Sequence, residues 1–171
     1  YQSLHTDDLV RSLAYVSFQE LATRVSHRNT GRFTSDPMAE RLLARIAADE
    51  NLHMIFYRNL LNASLQIAPD QTMRAILDVV STFEMPGAGI PGFQRKAVEM
   101  AVEGIYDQRQ HHDDVIMPVL RFCKVFELEG LSADGEQART DLATFLGELD
   151  TSAARFVDKR DALKARLAAR R

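Results

Sequence analysis

Apolar residues recur along this chain at helical spacing. Leu9, Leu13, Val16, Glu20 and Thr23 fall at steps of three and four, so they share one face of a helix expected from about Thr6 to Asn29. Gly31 follows as the expected stop. Asp36-Pro37 reads as an N-cap with proline at the first helical position, opening a second helix that runs to about Ile67. Pro69 and Asp70 end it and start a third, to about Thr82. The stretch from Met85 to Gly92 holds two Pro and three Gly in eight residues, too many for a helix. A fourth helix fits Phe93 to Tyr106. Asp107 caps a further one reaching about Phe126, with a kink expected at Pro118. After a loop at Glu129–Ser132, a last long helix runs from about Ala133 to the end. No strand-like alternation bounded by hairpin turns occurs, and no repeat. The pattern predicts an all-α fold, with residues 1–171 as a single helical domain.

Composition narrows the function classes. The chain has 171 residues, 46% hydrophobic and 26% charged, an ordinary globular balance with enough length for a real core. A net charge of −3 argues against nucleic acid as the main partner, because phosphate binding calls for a basic excess. The single cysteine, Cys123, cannot form an intrachain disulfide and reads as a small buried hydrophobe, which suits a reducing, cytoplasmic setting. No apolar run is long enough for a transmembrane helix, and no signal-like segment opens the chain.

The residues that carry chemistry lie in the second helix. Glu50 and His53 are three apart in Asp49-Glu50-Asn51-Leu52-His53, so they project from one face about a turn apart and can reach one metal ion. Such a pair alone is common on helix surfaces. It gains meaning from Glu20, which sits among apolar neighbours in the first helix. Glu20 lies about ten residues before the interhelical turn and Glu50 about fourteen after Asp36. At ~1.5 Å per residue both are ~15–20 Å from the turn, so on antiparallel helices they face each other. A Glu on one helix and a Glu-x-x-His on its neighbour is the device of di-iron carboxylate bundles. His27 reads as a structural helix-end residue. The run His111-His112-Asp113-Asp114 reads as a solvated polar segment, because adjacent residues point to different faces.

Tyr15-Val-Ser-Phe-Gln-Glu20-Leu-Ala-Thr23-Arg-Val-Ser-His27-Arg-Asn29-Thr30 and Ile46-Ala-Ala-Asp49-Glu50-Asn-Leu-His53 resemble the second half of the soluble acyl-ACP desaturases, most closely the actinobacterial branch. Phe83-Glu-Met-Pro-Gly, Gly104-Ile-Tyr-Asp and Val115-Ile-Met-Pro-Val-Leu120 extend the resemblance, which weakens over the last ~40 residues. The resemblance implies a ferritin-like helical bundle with extra C-terminal helices. It implies Glu20, Glu50 and His53 as iron ligands, two irons per complete site, and Asp49 as a residue that orients a ligand. Thr23 would lie beside the oxygen-binding face, and Ser12, Leu13 and Val16 would line the acyl tunnel. The implied reaction removes two hydrogens from an alkyl chain carried on acyl carrier protein, using dioxygen and electrons from ferredoxin. A homodimer is the expected assembly.

The family pattern has six ligands, and the other three come from an upstream Glu and a second Glu-x-x-His. Neither is found here, because His5, His27, His111 and His112 have no Glu three residues earlier. Either an upstream half exists in the same or another chain, or the 171 residues alone are inactive. Leu9, Leu13, Val16, Ile46 and Ile55 would then form an uncovered apolar face. A non-catalytic helical module and a different di-iron oxygenase or hydroxylase are the rival readings.

Overall fold

The structure is a computed structural model in which residues 8–169 are described. Among them there is no strand, and every regular element is helical. Helix α1 spans Leu9–Phe33, α2 Pro37–Ile67, α3 Pro69–Ser81 and α4 Phe93–Glu103. Then come α5, Gln108–Gln110, a π-helical segment His111–Ile116, α6 Met117–Phe122, a 3-10 turn Val125–Glu127 and α7 Ala133–Ala168.

The starts are fixed by side-chain caps. The Asp8 carboxylate accepts from the backbone N–H of Val10 and Arg11, and Asp36 does the same for Met38 and Ala39. The expected start of α1 at Thr6 lies outside the described residues. Its end differs from expectation: α1 runs through Gly31 to Phe33, and Gly31 is buried inside the helix. A Cβ there would sit 3.3 Å from Leu43 Cβ and 3.4 Å from the Glu40 backbone. The glycine therefore lets α1 and α2 approach closely at the turn end of their hairpin.

Helices α1 and α2 form the most extensive packing of the fold, with α1 seated between α2 and α3 and α7 closing over α3. Phe18, Leu61, Met73, Ile76, Ile116, Leu120 and Leu142 are fully buried, so every long helix except α4 feeds one core. Helix α4 buries no residue completely and ends at Glu103, earlier than expected, because Gly104 turns left-handed at φ 80.

Asp107 does cap a helix, with Gln110 completing a capping box. The break expected at Pro118 takes the form of a π segment just before it. The Met117 N–H reaches back to the His112 carbonyl, five residues away. Pro118 has no N–H to give, and the wider register accommodates it in the first turn of α6. The same segment overturns the reading of His111 as solvated. Its ring lies 4.6 Å from that of Phe83, and its Nδ1 is 2.7 Å from the Tyr106 hydroxyl. That enclosure pushes its pKa down to about 4, with the nearby His112 adding to the effect. The Tyr106 hydroxyl and His111 Nδ1 thus share a hydrogen bond with the ring neutral. Cys123 is buried as expected, and burial pushes its thiol up to about 11.

The uncovered apolar surface is not where the sequence placed it. Leu9 is exposed, whereas Leu13, Val16, Ile46 and Ile55 are half-buried. Instead Met38, Leu42, Leu52, Phe56 and Ile67 are exposed along one stripe of α2.

Two outcomes follow for stability. Gly31→Val should lower it by about 2 kcal/mol in urea unfolding, because the added methyls must push Leu43 and the α2 backbone away. For His111, the unfolded chain takes a proton below pH ~6.5, whereas the folded chain takes it only near pH 4. Stability should therefore fall with pH through that window, by roughly 2–3 kcal/mol in all. His111→Gln should flatten that part of the curve measured by unfolding midpoints from pH 7 to 4.

Candidate metal centre

The α1–α2 hairpin brings Glu20, Glu50 and His53 together, with one donor atom from each lying within 4.8 Å of the others. His53 Nδ1 is 3.3 Å from Glu20 Oε2 and 3.3 Å from Glu50 Oε2. The convergence follows from helix geometry. Side chains lean toward their own helix N-terminus, so His53 leans back over Glu50, one turn earlier. Glu20 meets both across the antiparallel contact.

The carboxylates are shielded and the imidazole is open, with side-chain exposures of 14% for Glu20, 20% for Glu50 and 58% for His53. Burial, then the hydrogen bond and charge of Glu50, raise the Glu20 pKa to about 7. Glu50 moves the other way, held below the usual carboxylate range chiefly by its hydrogen bond from Glu20 and further by His53. His53 is raised by its hydrogen bonds to both carboxylates. Two carboxylates forced together form a site that a cation would neutralise. Two oxygens and one nitrogen form a donor set that fits a first-row divalent metal such as iron.

Of the other residues singled out, Thr23 is one turn beyond Glu20 on the same flank. Its hydroxyl donates to the backbone carbonyls of Glu20 at 3.0 Å and Gln19 at 3.2 Å. Ser12, Leu13 and Val16 continue that flank toward the start of α1 and are half-buried. Asp49 turns aside from the three donors and pairs with Arg45 at 3.5 Å. There it borders an open cleft of about 990 Å³, whose walls also carry Arg24, Arg28, Arg32 and Arg58. His27, expected to be a structural helix-end residue, lies beside this cluster, with its Nε2 4.0 Å from Glu50 Oε1. Its spacing of seven from Glu20 is two helical turns, which puts both on one face of α1.

Comparison with known proteins identifies the class. The fatty acid desaturase family model FA_desaturase_2 matches residues 2–170, so the chain belongs to that family. It is 48% identical over 150 residues to DesA1 of Mycobacterium tuberculosis, a protein named as an acyl-[acyl-carrier-protein] desaturase, covering 88% of this chain and 44% of that protein. It is 32% identical over 151 residues to the chloroplastic stearoyl-[acyl-carrier-protein] 9-desaturase of Gossypium hirsutum, covering 82% and 38%. The crystal structure of a protein named as an acyl-ACP desaturase, DesA2 of Mycobacterium tuberculosis H37Rv, superposes with a TM-score of 0.65 at 28% identity, covering 70% of this chain and 49% of that one. The fold is thus the ferritin-like helical fold of the acyl-ACP desaturases. The chain spans less than half the length of the curated relatives it matches.

If Glu50 and His53 bind metal, Glu50→Ala and His53→Ala should each weaken Fe(II) or Co(II) binding at least tenfold in calorimetric titration, with the far-UV circular dichroism unchanged. Wild-type affinity in both variants would remove the assignment.

Proposed function

We propose that this chain is one half of the catalytic body of an acyl-ACP desaturase, and that Glu20, Glu50 and His53 supply three of the ligands to a pair of irons. The observation that carries the reading is the convergence of these three donors, in a chain whose relatives are named acyl-[acyl-carrier-protein] desaturases. The remaining ligands, a Glu and a second Glu-x-x-His, would come from helices outside these residues, in the same polypeptide or another. Three donors on one wall leave most of two coordination spheres to water, so the 171 residues alone should bind metal weakly and be inactive. A non-catalytic module would bind none.

The substrate would be a fatty acyl chain thioester-linked to acyl carrier protein. The reductant would be a ferredoxin, the setting the cytoplasm and the assembly a homodimer. None of the helices among the described residues is long and apolar enough to cross a membrane. When bound, the irons would supply the dioxygen chemistry needed to remove two hydrogens from an unactivated alkyl chain, a task beyond any side-chain acid or base. The chain's own share is ligation, positioning and proton handling. Leu13 and Val16 give the flank leading to Glu20 an apolar surface along which an alkyl chain can lie, with Ser12 at its far end. Thr23 stands next to Glu20 with a hydroxyl that can hold or pass a proton.

The test is an assay of the protein with its complementary half, reduced ferredoxin, dioxygen and a saturated acyl-ACP. A cis-alkenyl product is expected. A hydroxylated product would favour another di-iron oxygenase, and no product from iron-loaded protein would refute the reading. Thr23→Val should keep normal iron content while turnover, or its coupling to oxygen use, falls at least tenfold. Unchanged turnover and coupling would remove Thr23 from the mechanism.

A further inference from the structure

The His27 side chain is about one-third exposed. Nearby residues of α1 bond elsewhere. Asn29 donates to the Ile105 carbonyl, Thr30 bonds back to Ser26, and Gly31 sets the approach to α2. The His27 ring is nonetheless aimed at the metal ligands. It lies two turns after Glu20 on the same face of α1, closer to the interhelical turn. Its side chain leans toward the start of α1, and the Glu50 side chain leans toward the start of α2, which is the turn end. On antiparallel helices these directions oppose, so the two side chains point at one another. The result is a carboxylate bracketed by two imidazoles: His53 Nδ1 stands 3.3 Å from Oε2 and His27 Nε2 stands 4.0 Å from Oε1.

We infer that His27 is a positioning residue for Glu50, its Nε2–H holding Oε1 so that Oε2 is the oxygen turned toward Glu20 and His53. The inference rests on the metal-centre reading above and adds to it a residue outside the three donors. About 1 Å of side-chain movement closes the gap to hydrogen-bond length. A carboxylate held at one oxygen would keep a fixed orientation toward Glu20 and His53, whereas a free one rotates. Partners of this kind are worth 10–100-fold in metal affinity.

Two substitutions separate this role from a merely structural one. His27→Leu keeps the bulk and removes the donor, and His27→Gln restores an N–H at similar reach. In titrations with Co(II) alone, His27→Leu should weaken binding about tenfold or more and shift the visible Co(II) absorption bands. His27→Gln should recover most of the affinity and the wild-type bands. Wild-type affinity and bands in both variants would overturn the inference. So would equal loss in both, because an N–H donor at similar reach would then have failed to replace the ring. The metal-free protein gives an independent arm. In long-range 1H–15N spectra, the His27 Nε2 resonance should be that of a protonated nitrogen and should move on Glu50→Gln, and an unmoved resonance overturns the inference. Were the wild-type chain to bind no Co(II), the metal-centre reading would fall, while this second arm would still decide the His27–Glu50 contact.

Discussion

The site depends on the close, in-register contact between α1 and α2. Each of the three donors lies far from the turn that joins these helices, so a small change in helix spacing or register would move Glu20 away from Glu50 and His53. The register is set at the turn end. Asp36 caps α2 through two backbone N–H groups, and Gly31 removes the Cβ that would otherwise press on Leu43 and the Glu40 backbone. The distal end is held by the core, where Phe18 of α1 and Leu61 of α2 are buried with residues of α3, α6 and α7. Ordinary apolar packing thus places two carboxylates side by side, and their mutual repulsion is the cost of the site. Burial first, and then the nearby Glu50 carboxylate, raise the Glu20 pKa.

Much of this was legible in the chain. Apolar spacing at three and four residues, Asp36-Pro37 and the Pro/Gly cluster after Met85 gave the helix order, because each reflects a local backbone requirement. The Glu20, Glu50 and His53 constellation was legible for the same reason: helical periodicity and a short link are enough to set faces and levels. What escaped were features decided by tertiary approach. Gly31 reads as a stop from local propensity, yet it is a close-packing residue within the helix. The π segment before Pro118 answers a missing donor that could equally have produced a simple kink. His111 looked solvated because adjacent residues of its polar run point to different faces, and only packing brought Phe83 and Tyr106 around it.

The exposure pattern links the site to assembly. His53 is the most open of the three donors, and the exposed stripe of Met38, Leu42, Leu52, Phe56 and Ile67 runs along the same helix on the adjoining sector. Large apolar side chains aligned in this way mark a surface that another element covers. On the proposed reading, helices that cover the stripe would also present the remaining ligands to the open side of His53. Burial of the stripe and completion of the coordination sphere would then be one event. Metal affinity and association of the two halves would be thermodynamically linked, each strengthening the other by the same factor. The paired carboxylates fit that arrangement. Side by side without a cation they repel, and they become an asset only when a cation and the opposing ligands arrive together.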